Sequence, residues 1–280
     1  VVQIYSYDLE ELVSQDKFHP TSPPHRLLYQ SFSSHLPFKL AKSSTFTHFP
    51  FLQHRTMEYY TIMSKTEKKA LDLLKGAYNL STPDDNKKYY KGFAPFYDSV
   101  FVKDLGYTYP AVVANLLVEK FTIDGPICDI GCGTGLVANE IKKKAPNAVI
   151  DGVDISQDMI QISREKNLYR NLLELNLEDP LDSLLQDYSA VVSAGTFTHG
   201  HLGSETLKRL ISHFNSGTKF VIGINFDHYH SKGFEKQFKA LNETNIINCF
   251  ELNEVKVYNK DNKDLNIKNG KACVCLFSKT

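Results

Sequence analysis

The chain has 280 residues, enough for one large domain or two small ones with a sizeable core. Its 32 Lys plus Arg balance 32 Asp plus Glu, so no overall field favours nucleic acid, a membrane surface or an acidic substrate. No run of about 18 apolar residues occurs, and no transmembrane helix is expected.

Residues 1–57 stand apart. They hold five of the ten histidines (His19, His25, His35, His48, His54) and prolines at 20, 23, 24, 37 and 50. Residues 17–56 contain no Asp or Glu, Ser and Thr are frequent, and no apolar period persists. An acid-poor, Ser-rich leader reads as an organellar transit peptide. The simpler reading starts from Val at position 1, with Met57 and Met63 just before the first capped helix. On that reading the stretch is upstream sequence or an extension, poorly structured or non-native, with no recognisable chemistry.

Residues 58–121 read as an N-terminal helical cap. Ser64-Lys65-Thr66-Glu67 is a capping box, and Ala70, Leu73, Leu74 and Ala77 continue the stripe to about residue 80. A second helical region is expected over 84–105, carrying Phe93, Phe96, Tyr97, Val100 and Phe101 and stopped by Gly106. A third follows over 109–120, with Val112, Val113, Leu116 and Leu117 on its buried side.

From 122 the period changes. Strands are predicted over 126–130, 148–153, 172–175, 190–193 and 219–224. Helices are predicted over 136–144, 157–166 (capped by Ser156 or Asp154), 204–214 and 230–241, with a short one near 181–185. Two final strands, 250–258 and 272–277, are joined by the polar stretch 259–268. Alternating strand and helix implies a doubly wound α/β sheet. The closing hairpin makes at least one strand antiparallel. The expected fold is a mostly parallel seven-stranded sheet with an antiparallel last strand, plus N-terminal helices; residues 122–280 are expected to form one domain.

Between the first strand and its helix lies Asp129-Ile130-Gly131-Cys132-Gly133-Thr134-Gly135. Glycine lets the backbone turn tightly and lets a ligand press against the main chain. The following helix offers free N–H groups and the positive end of its dipole. Asp154, 19 positions after Gly135, ends the next strand, where a carboxylate can accept from both ribose hydroxyls of an adenine nucleoside. A dinucleotide fingerprint would need glycine at position 136, which is Leu. An acid at 129 suits a cationic amino acid and sulfonium and would be costly facing a pyrophosphate.

These residues resemble the first motif of class I S-adenosylmethionine-dependent methyltransferases, and the likeness extends over about residues 89–279. The resemblance implies S-adenosylmethionine as cofactor. Asp129, Gly131, Cys132, Gly133, Thr134 and Gly135 would serve its methionine part, Asp154 its ribose, and Ile155 its adenine. Asn176-Leu177 stands where many relatives carry an acid near the adenine amine, and Asn can still accept through its side-chain oxygen. Phe96-Tyr97-Asp98 is similar to a Tyr-Asp motif of small-molecule methyltransferases in which the Tyr overlies the cofactor; Tyr97 reads equally as a core aromatic. With Leu105-Gly106-Tyr107 and Val192-Ser193-Ala194-Gly195, the pattern is similar to the methyltransferase-like group named for the Williams–Beuren region. Ser193 joins the cofactor candidates on that basis.

Acceptor chemistry is expected at the carboxyl ends of the strands, where the segment Ser193-Ala194-Gly195-Thr196-Phe197-Thr198-His199-Gly200-His201 falls. It lacks the Asn-Pro-Pro-Tyr type of sequence found in many enzymes that methylate nucleic-acid or protein amide nitrogens. That favours a small-molecule acceptor, or a side chain presented on another protein, with no nucleic acid and no membrane expected as partner. His199 is the candidate catalytic base, since its ordinary pKa lies near neutrality. Its alternative is a cap on the helix near Ser204. Asp227 and Tyr229 are candidates for the acceptor pocket or for loop surface. His199, His201, His228 and His230 alternate as loop histidines do, and no metal is expected. The five cysteines (128, 132, 249, 273, 275) are odd in number and match no zinc spacing. They read as reduced thiols in the cytoplasm, or in an organelle if 1–57 is a transit peptide.

Overall fold

The computed structural model describes Asp85, Lys88, Tyr89, Ala94, Tyr97 and Asp98, then residues 106–198, 202–259 and 270–280. The leader 1–57, the capping box at Ser64, most of the helix expected over 84–105, Phe96, His199, His201 and most of the polar turn 259–268 lie outside the described residues.

In chain order the elements are α1 (Tyr109–Lys120), β1 (Ile127–Ile130), α2 (Leu136–Lys144), β2 (Ile150–Asp154), α3 (Gln157–Glu165) and β3 (Asn171–Glu174). Then follow β4 (Ala190–Phe197), α4 (Ser204–His213), β5 (Lys219–Asn225), α5 (Phe226–Ser231), α6 (Phe234–Glu243), β6 (Ile247–Lys256) and β7 (Lys271–Lys279). The sheet runs β3-β2-β1-β4-β5-β7-β6. The first five strands are parallel, and β7 runs antiparallel to both β5 and β6. The order reverses between β1 and β4, the place where doubly wound sheets open a crevice for ligands.

Each face of the sheet is covered. Val113, Leu117, Val137, Ala138 and Ile141 of α1 and α2 pack on Ile127, Ile150, Val192, Val221 and Val274. Leu207, Leu210, Phe234 and Phe238 of α4 and α6 pack on Ile130, Val191, Phe220, Cys275 and Phe277 on the other side. Phe220 and Phe277, directly paired across β5 and β7, stack with ring centroids 4.7 Å apart. β7 is therefore buried on both faces, while edge strand β6 alternates between exposed and half-buried residues. All five cysteines are free. Among the described residues no helix is long and apolar enough to cross a membrane.

Three expectations are corrected. The fourth strand does not stop at Ser193 but continues to Phe197, through a register shift against β5 and a left-handed Gly195 at φ 88°. The helix expected over 230–241 is two, α5 and α6, because Gly233 takes φ 79° between them. Residues 181–185 form a turn, not a helix; Leu181 and Leu184 are both buried, and their spacing imitates a helical face.

Candidate active site

The last carbonyl of β1, that of Ile130, accepts hydrogen bonds from Ser193 Oγ at 2.8 Å and Thr196 Oγ1 at 3.1 Å. This fixes the chain as it enters the glycine loop. Gly131, Gly133 and Gly135 then take φ values of 64°, 51° and 89°, a region that L side chains avoid. The three glycines differ in what surrounds them. A Cβ on Gly131 would collide with the Thr196 side chain, and one on Gly135 would stand 3.1 Å from Ser163 Oγ and from the Tyr169 ring. Among the described residues, a Cβ on Gly133 would meet nothing within 4 Å. The loop thus packs inward at both ends and is open at its centre.

Two acids lie beneath it. Asp154, the last residue of β2, accepts from Gly133 N through Oδ2 and from Ser156 N through Oδ1, both at 2.8 Å. Burial pushes its carboxyl upward, and the backbone N–H groups of Ser156, Gly133 and Ile155 oppose that. Half-buried Ile155 lies between this carboxylate and Ser156, whose hydroxyl caps α3 by accepting from Met159 N. Asp129, mid-strand in β1, is fully buried. Its Oδ2 accepts from the Tyr169 hydroxyl at 2.7 Å, and its Oδ1 has no donor among the described residues. Burial raises its carboxyl to about 7; the Tyr169 bond works against the rise and the charge on Asp154 adds to it.

Around the loop, Thr134 Oγ1 donates to Asp98 Oδ1 and Lys166 Nζ donates to Asp98 Oδ2, each at 2.5 Å. Asp98 thereby ties the loop to the end of α3. Its neighbour Tyr97 is helical and half-buried. Cys132 is buried with its thiol pushed well up by burial, so it is a packed, protonated group. Ser193 is buried and commits its hydroxyl to Ile130. After β3, Asn176 Oδ1 accepts from Glu178 N at 3.1 Å and Leu177 is buried. Arg209 of α4 donates to the carbonyls of Leu177, Glu178 and Asp179 and clamps this segment.

Sequence reasoning missed Tyr169 and Arg209, and it named Asp98 and Thr196 within longer motifs without assigning either a contact. Each acts across 30 to 66 positions of chain, for which no local pattern exists. The bare backbone at Gly131, Gly135 and Gly152 is a trace that Thr196 and Tyr169 leave in the sequence.

On the acceptor side, His199 lies outside the described residues. His228 is buried, with Nε2 3.0 Å from the Leu202 carbonyl, and His230 Nδ1 is 3.5 Å from Glu235. Among the described residues no group of His, Cys, Asp or Glu is arranged to hold a metal. Tyr229, expected at a pocket or on loop surface, is buried in α5 and stacks on Phe234 and Phe238, which makes it core. Asp227 sits half-buried in the first turn of the same helix.

Residues 127–219 match a family described as "Methyltransferase domain". Methyltransferase-like protein 27 of Homo sapiens is 32% identical over 129 residues, covering 44% of this chain and 51% of that protein. A malonyl-(acyl-carrier protein) O-methyltransferase of Bacillus cereus is 27% identical over 151 residues, covering 52% of this chain and 55% of that protein. The chain spans about half the length of these curated relatives. Among solved structures, the protein in complex with the Haloferax volcanii Trm112 methyltransferase activator shares the fold. Its TM-score is 0.51 at 13% identity, covering 69% of this chain and 97% of that one.

Proposed function

We propose, from the premise that this chain carries a class I, Rossmann-like methyltransferase domain over residues 127–219, that it transfers the methyl group of S-adenosylmethionine to a small-molecule acceptor. The observation that carries the reading is the open centre of the glycine loop at Gly133, directly bonded to the carboxylate of Asp154. That space beside a bare backbone lets a ligand approach the main chain at a helix N-terminus. Asp154 keeps lone pairs for ribose hydroxyls after accepting its two amide bonds. Asp129 supplies a buried negative charge one of whose oxygens lacks a donor, which suits a cationic ligand and would oppose a pyrophosphate.

The bound cofactor would supply an activated methyl group on a sulfonium. What the chain does is bind, orient and exclude water. The glycine loop and Asp129 hold the methionine end, Asp154 and Ile155 the ribose and adenine, and Asn176 and Leu177 the far edge of the base. Arg209 keeps that last segment in place through its carbonyls. Tyr97, Cys132, Thr134 and Ser193 contribute walls or support. His199, two residues past the end of β4, is the candidate to take a proton from an acceptor hydroxyl or amine. A balanced net charge supports a small acceptor over nucleic acid, and a relative named as a malonyl-(acyl-carrier protein) O-methyltransferase fits that class.

Calorimetric titration of the full chain with S-adenosylmethionine and S-adenosylhomocysteine, with NAD as control, tests the cofactor. Saturable binding of the first two alone is expected, and tighter binding of NAD would sink the reading. Transfer of a labelled methyl group to pooled small metabolites then tests the acceptor class. Transfer to RNA or protein instead would replace it, and binding without any transfer would leave a cofactor-dependent regulator.

A further inference from the structure

Tyr169 belongs to none of the motifs above. It stands in the segment between α3 and β3, and its ring is wedged between two glycines. A Cβ on Gly135 would lie 3.1 Å from ring atom Cε2, and one on Gly152 would lie 2.9 Å from Cε1. Gly152 is the register partner of Asp129 across β2 and β1. Bare backbone at 152 therefore leaves a slot beside Asp129, and the phenol passes along it to reach Oδ2 at 2.7 Å. The result is a fully enclosed carboxylate held by one oxygen, with the other oxygen lacking a donor.

We propose that Tyr169 is a positioning residue of the cofactor site, holding Asp129 through one oxygen so that this carboxylate serves as counter-charge to the cationic methionine end of the cofactor. The proposal rests on the reading that this site takes S-adenosylmethionine. A buried carboxylate with an unmatched oxygen is costly as an anion, and a neighbouring cation removes much of that cost. The hydrogen bond from Tyr169 favours the charged form, so it also sets how readily the carboxyl gives up its proton when the cation arrives.

The titratable groups facing Asp129 are few. Tyr169 approaches from the segment before β3, Asp154 from the end of β2, and Cys132 from the loop, its thiol kept protonated by burial. Cys128, on the same strand, has its thiol raised by burial as well. Of these, Asp154 opposes ionisation of Asp129 and the Tyr169 bond favours it. Cofactor binding near neutral pH is therefore coupled to loss of a proton from Asp129.

The test uses the full chain and Tyr169→Phe, which keeps the ring in its slot and removes only the hydroxyl. Affinity for S-adenosylmethionine is measured by calorimetry from pH 6 to 9, in buffers of different ionisation heat so that released protons are counted. Side-chain carboxyl 13C NMR follows Asp129 in the ligand-free protein. For the wild type, affinity should rise from pH 6 through neutrality, then fall as the ligand's own α-amino group loses its proton above about pH 8. For Tyr169→Phe, the carboxyl titration and the affinity curve should both move to higher pH. Loss of one hydrogen bond to a charged group predicts about 5- to 20-fold weaker binding at pH 7, converging with wild type at pH 9. Equal weakening at every pH, or an unmoved carboxyl titration, overturns the proposal as a merely structural effect. Asp129→Asn, with Tyr169 intact, should abolish the rise in affinity between pH 6 and 7, below the range where the ligand's own α-amino group titrates; if that rise survives, the proposal fails even where Tyr169→Phe folds poorly. No binding by the wild type at any pH defeats the cofactor reading itself, and this is distinguished by its occurring in both proteins.

Discussion

The carboxylate of Asp154 accepts a hydrogen bond from the backbone N–H of Gly133 at 2.8 Å, so the end of β2 is tied directly to the centre of the glycine loop. Removing the acid therefore does more than delete the proposed ribose contact. Asp154→Ala leaves two N–H groups without their acceptor, at about 1–3 kcal/mol each if they stay buried. Ser156 still caps α3, which limits the damage to the loop. Cofactor affinity should fall at least about tenfold with the fold retained. Calorimetric titration alongside a thermal melt checks both; unchanged affinity would remove Asp154 from the site.

Two neighbouring glycines should respond in opposite ways. Gly131→Ala places a methyl into Thr196 in addition to left-handed strain, and should cost on the order of 3 kcal/mol or more. Gly133→Ala carries only the strain, about 1–2 kcal/mol, because the space beyond it is open. Its methyl should block the ligand instead. The expected pattern is a large loss of melting temperature for the first and a large loss of cofactor affinity for the second. Similar melting temperatures in the two variants would contradict it.

Asp129 should make the ligand-free protein less stable as pH rises. Burial raises its carboxyl from 3.8 to about 7, so the folded state binds more protons than the unfolded one between those values. This contribution is fully present below 3.8 and is lost as pH climbs through about 7. Asp129→Asn, which retains an acceptor for Tyr169, should raise stability at pH 8 while weakening cofactor binding. Urea unfolding of both proteins at pH 5 and pH 8 checks the sign; a variant less stable at pH 8 would refute it.

Asp151 has the opposite sign. It too is buried, which acts to raise its carboxyl. Bonds from Arg170, Tyr188 and Asn171 outweigh that and hold it below its ordinary 3.8. Its contribution is present above that value and lost on acidification. Asp151→Asn should cost about 1–3 kcal/mol at neutral pH, a range discounted for the half-exposed Arg170. The gap to wild type should close as pH falls below 4, measured by the same unfolding series.

What was legible in the sequence was what repeats locally. The alternation of short apolar runs with amphipathic stretches identified β1 to β5, α1 and the closing hairpin, and the spacing from Asp129 to Gly135 identified the loop. Ser193 to Phe197 was read as a loop because a hydroxyl-rich stretch carries no strand pattern. The hydroxyls of Ser193 and Thr196 both donate to the Ile130 carbonyl, a relationship across 63 positions or more. The turn at Leu181 and Leu184 was misread because two buried leucines three apart satisfy a helix as well as a turn. Tyr169 and Arg209 were invisible for a further reason. Both act through polar contacts with residues distant in the chain, Tyr169 at a buried carboxylate and Arg209 at three backbone carbonyls, and neither leaves a periodic trace.

The position of β7 between β5 and β6 bears on how the chain is made. A ribosome delivers β6 before the strand that joins it to the sheet. Until residues 271–279 emerge, β5 offers an unpaired apolar edge and β6 has nowhere to dock. Translation pauses between residues 257 and 270 would prolong that interval, and chaperone demand should be greatest there.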